Sequence, residues 1–76
     1  MTTAYVLISA LVGRGHQVLA SLGGLREVRF AERVNGPHDI IAKVEVADLI
    51  ALGRFVQDKV HTVPGVVKTI TCVAVK

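Results

Sequence analysis

The order of the hydrophobic patterns limits the fold of this 76-residue chain more than any other feature. Two short segments with helical spacing are each enclosed by two segments in which apolar residues alternate or run together. The patterns predict strands over residues 5–12, 28–34, 40–46 and 66–75, and helices over residues 16–22 and 49–63. Gly23-Gly24 and Pro64-Gly65 are expected to end the helices, and Asp48 to cap the second one. The predicted order is therefore βαββαβ.

This order predicts a ferredoxin-like α+β fold, in which two right-handed β-α-β units interlock. Such a fold has a four-stranded antiparallel sheet with both helices on one face, so the other face is bare. The first strand is apolar on both sides, with Tyr5 and Leu7 opposite Val6 and Ile8, and the last strand has the same character. A strand that is apolar on both sides is normally covered on both sides. We therefore expect a homodimer in which two copies join through their bare sheet faces.

Length, charge and composition narrow the class of protein. The chain has neither an apolar run of about eighteen residues that would span a membrane nor the basic flank of a signal peptide. Its net charge of +3 is spread along the chain, and with 1 Tyr, 2 Phe and no Trp it offers few aromatic rings for nucleic-acid stacking. The single Cys72 permits no intrachain disulfide, so we expect a cytoplasmic protein. Because Cys72 lies in an apolar strand, we expect it to be a small core residue. A domain this small, without a disulfide, gains stability most readily from oligomerisation.

The connection between the second and third strands carries the most distinctive residues. Asn35-Gly36 alone would suit a tight turn, since both residues tolerate positive φ, but Pro37, His38 and Asp39 follow. Together with its surroundings this segment resembles the effector-binding domain of the Lrp/AsnC family of transcription regulators, often called the RAM domain. The matching pattern is Gly13 … Val28-x-Phe30 … Val34-Asn35-Gly36-Pro37-His38-Asp39-Ile40 … Val44-Glu45-Val46-x-Asp48-Leu49-x-x-Leu52 … Val63-Pro64-Gly65-Val66 … Thr71, which spans nearly the whole chain.

The resemblance implies a function and a set of partners. Members of the family dimerise through their sheets and assemble into rings of dimers, commonly octamers of four dimers. They bind amino acids or related small effectors near the contacts between dimers. The helix-turn-helix module that precedes this domain in complete regulators has no room in residues 1–76, so we expect a single, stand-alone ligand-binding domain. Such a domain is expected to modulate transcription regulation by associating with a full-length Lrp/AsnC regulator, without direct DNA binding.

The resemblance also implies a ligand site at this connection. An amino acid is a zwitterion, which needs hydrogen-bond donors for its carboxylate and an acceptor for its ammonium group. The backbone N–H groups of Gly36 and His38 are candidate donors, and the Asp39 carboxylate is the candidate acceptor. The family often has hydroxyl residues on the closing strand, which here are Thr69 and Thr71. His38 stands where the family usually has an aromatic residue, so a leucine-like specificity is not carried over to this chain.

These residues also have structural interpretations. Asn35-Gly36-Pro37 is first of all a turn, and Asp39 can accept hydrogen bonds from the amides of its own turn. Thr69 and Thr71 are good strand formers in any case.

Two other function classes stay open at this point. A small dimeric ferredoxin-like enzyme, such as a cofactor-free monooxygenase, would use His38 or His61 as a base, but no acid and base are paired at a suitable spacing. An ACT-type regulatory domain shares the strand order and also binds amino acids, but residues 36–39 fit it less well. We therefore predict no catalytic residue and no cofactor. We also predict no metal site, because His16, His38 and His61 lack the short spacings of metal ligands.

Overall fold

The strands and helices follow the predicted order. The structure is a computed structural model, and it describes residues 1–75. Its strands are β1 (Thr2–Ala10), β2 (Val28–Arg33), β3 (Ile40–Val46) and β4 (Val66–Val73), and its helices are α1 (Gly15–Gly23) and α2 (Leu49–Phe55), the latter continued by a π-helical segment, Val56–Val60. The sheet is antiparallel throughout, in the order β2-β3-β1-β4. The predicted ferredoxin-like α+β fold is confirmed.

Seven boundaries differ from the sequence prediction by one to three residues; for example, β1 begins at Thr2 and β4 ends at Val73. Strand β1 ends at Ala10, so Leu11 and Val12, which we expected inside it, lie beyond it and are exposed. The second helical stretch ends at Val60 and not at residue 63. Its last turn is π-helical, and the His61 N–H donates to the carbonyl of Val56 at 2.9 Å. The helical stretch therefore ends three residues before the predicted position.

The predicted cap of α2 is present. The Asp48 carboxylate accepts a hydrogen bond from the Ala51 N–H at 2.8 Å, and Asp48 itself has an extended backbone. This satisfies one of the N–H groups that the first turn of a helix leaves unpaired. The start of α2 is therefore fixed by a residue that the sequence identifies.

The helices cover one face of the sheet, which we call the covered face. Alternate residues of β1 and β3 point into it, as the period of two predicts. The buried core consists of Ala4, Val6, Ile8, Val18, Leu22, Ile40, Ala42, Val44, Val46, Leu52, Phe55 and Val60. None of these residues belongs to the edge strands β2 and β4, so the described core is concentrated under the two central strands.

The other face of the sheet, which we call the open face, has no helix over it. Its apolar side chains are Tyr5, Leu7, Phe30, Ile41, Ile70 and Cys72, as the strand register shows. Leu7 on β1 lies between Ile41 on the central strand β3 and Ile70 on the edge strand β4, so the apolar residues form a continuous patch. Cys72 is exposed here, which corrects the prediction of a core residue: its strand position places it opposite Tyr5 on the uncovered side.

A β-bulge in β2 moves Phe30 to the open face. Simple alternation predicts that Phe30 shares a side with Val28, and this is wrong. Val28 is paired with the buried Val44, but the register shifts before Phe30, which is paired with Lys43. Phe30 is therefore 44% exposed. One extra residue reverses the facing of everything after it, and a sequence pattern does not mark its position.

Gly65 fixes the path of the chain into β4. Its φ of +99° is in the left-handed region, and an added Cβ would lie 3.0 Å from Arg14 Cβ and from Val18 Cγ2. The Gly65 carbonyl also accepts a hydrogen bond from the Leu11 N–H at 2.8 Å. A side chain here would be strained and crowded at once, so glycine is required where β4 returns beside the start of α1.

Candidate functional site

The β2–β3 loop, residues 34–39, is tied to the end of β1 by Asp39. The Asp39 N–H donates to the carbonyl of Ile8 at 2.9 Å, and its carboxylate Oδ2 accepts from the Ala10 N–H at 2.8 Å. The Val34 N–H donates to the Asp39 carbonyl at 2.9 Å and closes the loop. The carboxylate thus binds an amide of β1, and not one of its own turn as the structural interpretation supposed.

The hydrogen bond from Ala10 orients the Asp39 carboxylate but leaves it able to accept further hydrogen bonds. A carboxylate offers about four acceptor positions on its two oxygens, and the Ala10 N–H occupies one of them. Asp39 is exposed, so the remaining positions face solvent. A fixed and accessible carboxylate is what the recognition of an ammonium group requires.

The rest of the loop is open to approach from outside. The His38 ring is half-buried, with its Nδ1 3.1 Å from the hydroxyl of Ser9. Apart from Gly36 itself and its two chain neighbours, no described residue has an atom within 4 Å of the place where a Cβ would stand at Gly36. Among the described residues only Gly13 and Gly65 have positive φ, so Asn35 and Gly36 do not form the positive-φ turn that their sequence suggests.

The two predicted threonines lie on the edge strand β4. Thr71 is opposite Val6 and Thr69 is opposite Ile8, so both belong to the covered side of the sheet. The hydroxyl of Thr69 is 2.6 Å from Nε2 of His61. Thr71 is exposed and lines an open groove of about 490 Å³ between α2 and β4, whose lining residues are Leu52, Gly53, Val56, Gln57, His61 and Thr71. We call this the β4 groove.

The five predicted site residues form two groups that one copy does not bring together. Gly36, His38 and Asp39 belong to the β2–β3 loop at the end of β1, and Thr69 and Thr71 lie on β4. Ser9, which contacts His38, alternates with the buried Ile8 and so belongs to the open side of the sheet. The His38 ring and the two threonines are therefore on opposite faces of the same sheet.

Sequence reasoning missed several residues at both places. Ser9 and Ala10 hold the loop, but only the strand register reveals that β1 ends beside residue 39. Gln57 and His61 line the β4 groove. The short connection between the second helix and the last strand could have indicated that His61 returns close to Thr69, since a chain that reverses within a few residues brings its flanks together.

A second groove, of about 460 Å³, lies beside α2 and is lined by charges of both signs. Its lining residues are Glu27, Val46, Ala47, Asp48, Ile50, Ala51, Arg54, Phe55, Asp58 and Lys59. Within it the Lys59 ammonium is 3.1 Å from the Glu27 carboxylate. The hydrogen bond from Lys59 holds the pKa of the Glu27 carboxyl below its ordinary value. This ion pair ties the π-helical segment that follows α2 to the turn before β2.

Residues 1–75 contain neither a candidate metal centre nor a helix that could span a membrane. No three His, Cys, Asp or Glu side chains of this part of the chain are placed to hold a metal ion. None of its helices has the length and apolar character needed to cross a bilayer.

Comparison by sequence identifies a related group of regulators. The sequence pattern that defines the Lrp/AsnC ligand binding domain matches residues 3–76. An uncharacterised helix-turn-helix transcriptional regulator of Pyrococcus abyssi is 36% identical over 70 residues, which cover 92% of this chain and 44% of that protein. The chain thus spans less than half the length of the curated relatives it matches.

Comparison by structure finds solved proteins with the same fold. A protein of Thermus thermophilus superimposes with a TM-score of 0.94 at 30% identity, covering 100% of this chain and 95% of that one. A transcriptional regulator of Neisseria meningitidis, solved as a complex with L-Met, superimposes with a TM-score of 0.89 at 21% identity, covering 99% of this chain and 50% of that one. At that identity the second likeness concerns the fold alone.

Proposed function

The chain belongs to the Lrp/AsnC ligand-binding domain family, and on this premise we propose that it binds an amino acid or a related small effector and takes part in transcription regulation through its assembly with other subunits. The observation that carries the proposal is the Asp39 carboxylate, which is exposed yet fixed by the Ala10 N–H at 2.8 Å. Asp39 is the acceptor for the effector's ammonium group. The backbone N–H groups of Gly36 and His38 are the donors for its carboxylate.

We propose that the subunits first pair through the open face. Its apolar patch centres on Leu7, Ile41 and Ile70, and Ile70 is 39% exposed in one copy. Two such faces in contact would bury about 1,600 Å², the usual size of a specific interface. At ~25 cal/mol/Å², about 1,000 Å² of apolar contact yields ~25 kcal/mol before an association cost of ~4–15 kcal/mol. The balance favours a homodimer.

The effector site in this proposal needs more than one copy. Within one copy the β2–β3 loop and the β4 threonines cannot contact the same small ligand, because His38 and Thr71 lie on opposite faces of one sheet. A ligand that contacts both groups must sit between two subunits. This fits a higher assembly of dimers, such as an octamer of four dimers, in which each contact between dimers supplies one loop and one β4.

The proposed partner in the cell is a full-length Lrp/AsnC regulator. The Pyrococcus abyssi relative is a helix-turn-helix type transcriptional regulator, and 44% of its length aligns with this chain. A domain of residues 1–76 that shares the same interfaces would enter mixed oligomers and carry the effector signal into them. The proposal assigns it binding without catalytic turnover, a cytoplasmic location and no direct contact with DNA or membrane.

The test is a thermal-shift screen of the twenty amino acids on the wild-type protein, followed by calorimetry of the best ligand. At a concentration of about 100 Kd a bound amino acid stabilises the folded state by about 2.7 kcal/mol, which gives a clear rise in melting temperature. Product analysis of the same mixture is expected to return the amino acid unchanged. The proposal fails if none of the twenty raises the melting temperature.

Two variants of Asp39 separate recognition from structure. Asp39→Asn keeps an oxygen that can accept from the Ala10 N–H but removes the negative charge, so it should fold normally and bind at least about tenfold more weakly. Asp39→Ala removes both the charge and the bond. Wild-type affinity in Asp39→Asn would show that the carboxylate serves only the loop.

A further inference from the structure

The β4 groove contains a polar rim above an apolar floor. Leu52 is buried and Val56 half-buried, and they form the floor. Gln57, His61 and Thr71 supply the hydrogen-bonding groups at the rim. None of the described residues places a carboxylate in the lining of the groove, so its polar groups offer amide, imidazole and hydroxyl contacts without repelling a ligand oxygen.

The His61 ring is held in place at this rim. The bond between its Nε2 and the Thr69 hydroxyl, 2.6 Å long, uses one nitrogen of the ring. The π-helical turn before it is closed by the His61 N–H and by the Thr62 hydroxyl, which donates to the Asp58 carbonyl at 2.8 Å. A ring that is oriented through one nitrogen has the other available for a ligand.

The groove has space for a ligand side chain next to Gly53. Apart from Gly53, its two chain neighbours and the nearby backbone of its own helix, no described residue has an atom within 4 Å of the position of a Cβ at Gly53. The volume of about 490 Å³ is within the range of ~300–1,000 Å³ that small-molecule sites occupy. Gly53 is in the middle of α2, where glycine is a poor helix former, so its presence leaves the groove open at some cost to the helix.

From these observations we infer that the β4 groove receives the effector's side chain and selects one that ends in a carboxamide or carboxylate. The inference rests on the proposed amino-acid binding and specifies its ligand class as L-asparagine, L-glutamine, L-aspartate and L-glutamate. An oxygen of such a group accepts a hydrogen bond from the Gln57 amide, and the group forms a second hydrogen bond with Nδ1 of His61. An apolar side chain would cover these groups and leave them unpaired, which a site penalises strongly.

The experiment is calorimetry of the wild-type protein with those four amino acids and with L-leucine and L-methionine. We expect at least one of the four to bind about tenfold or more tightly than either apolar amino acid, as one unpaired buried polar group costs about that much. The amide and acid members are compared within the same series. Tightest binding of leucine or methionine would overturn the inference while leaving the proposed function intact.

Two groove variants test where the side chain lies. Gly53→Leu places an alkyl group into the groove and should improve the helix, so the variant should fold with an unchanged or higher melting temperature but lose at least about tenfold in affinity for the best polar amino acid. Gly23→Leu, at a glycine of α1 outside the groove with equally free space, is the matched control and should bind as the wild type does.

Gln57→Met keeps the length of the side chain without its amide. It should reduce the preference for the polar over the apolar amino acids by about tenfold. Unchanged affinity in Gly53→Leu, or unchanged preference in Gln57→Met, would overturn the inference even if amino acids bind. If no amino acid binds the wild-type protein, the proposed function itself fails and the inference falls with it.

Discussion

The two faces of the sheet come from the same strands but differ in what lies over them. On the covered face, Val6 and Ile8 have no exposed surface because α1 and α2 pack on the sheet. On the open face, Tyr5 is 37% exposed, although it stands between two residues of the core. This chain places apolar residues on both sides of the sheet but has helices over one side only, which supports the proposed pairing of two copies through the open face.

The largest expected effect is on the open face, from Ile70→Asp. Placing a carboxylate in the proposed interface, once in each subunit, should raise the dimer dissociation constant at least about a thousandfold, which corresponds to ~4 kcal/mol. Analytical ultracentrifugation measures it. Ile50→Asp is the control, because Ile50 is 72% exposed on α2 and lies outside the open face. Equal effects of the two substitutions would show that the open face is not special.

The next largest effect is on stability, and it distinguishes two neighbouring residues on opposite faces of the sheet. Ile8→Ala removes a fully buried side chain of the covered face and should lower the free energy of unfolding by about 2–5 kcal/mol. Leu7→Ala, one position away on the open face, should act mainly on association. Denaturant unfolding at two protein concentrations separates them: the concentration dependence of the midpoint should survive in Ile8→Ala and shrink in Leu7→Ala. The reverse pattern would mean that the faces are assigned wrongly.

A smaller effect concerns the end of β1, where the loop is attached. Asp39→Ala removes the acceptor of the Ala10 N–H, and the free energy of unfolding should fall by about 1 kcal/mol, as for a lost capping carboxylate. Asp39→Asn should lose less than half of that. Thermal unfolding without any amino acid present measures both, and equal losses would show that the bond to Ala10 does not stabilise the loop.

The smallest effect is electrostatic and belongs to the helix side. Because Lys59 lowers the pKa of Glu27 in the folded state, the pair stabilises the fold above the ordinary value of 4.5 and loses this contribution as the pH falls through the lowered pKa. Lys59→Met should therefore be less stable than the wild type at pH 7, by below about 1 kcal/mol for so exposed a pair. The difference should vanish in acid. A difference that persists at pH 2 would have another cause.

The sequence predicts the covered face better than the open one. The alternation over Ile40–Val46 and the cap at Asp48 are both present, since each depends on local spacing or on a single side chain. The position of Phe30 is not predictable in this way, because a bulge shifts the register without any mark in the residue pattern. Cys72 fails for a related reason: an apolar residue in an edge strand is buried only if something covers that side.

The candidate site is predicted in its residues but not in its geometry. Gly36, His38, Asp39 and the two threonines come from a family resemblance, which names positions and not their contacts. The bond from Ala10 to Asp39 and the placement of His61 beside Thr69 depend on how distant segments meet, so they appear only in the folded chain. The separation of the two groups across the sheet follows from strand register, and it is what makes a second subunit part of the proposed site.

The most direct test of the central claim, that a second copy covers the open face, is the mass of the wild-type protein in solution. Sedimentation equilibrium over a range of micromolar concentrations should give a dimer of the 8.1 kDa subunit or a multiple of that dimer. A mass of 8.1 kDa at every concentration would contradict the account, because the apolar patch around Leu7 and Ile70 would then remain in water and the proposed effector site would lack its second subunit.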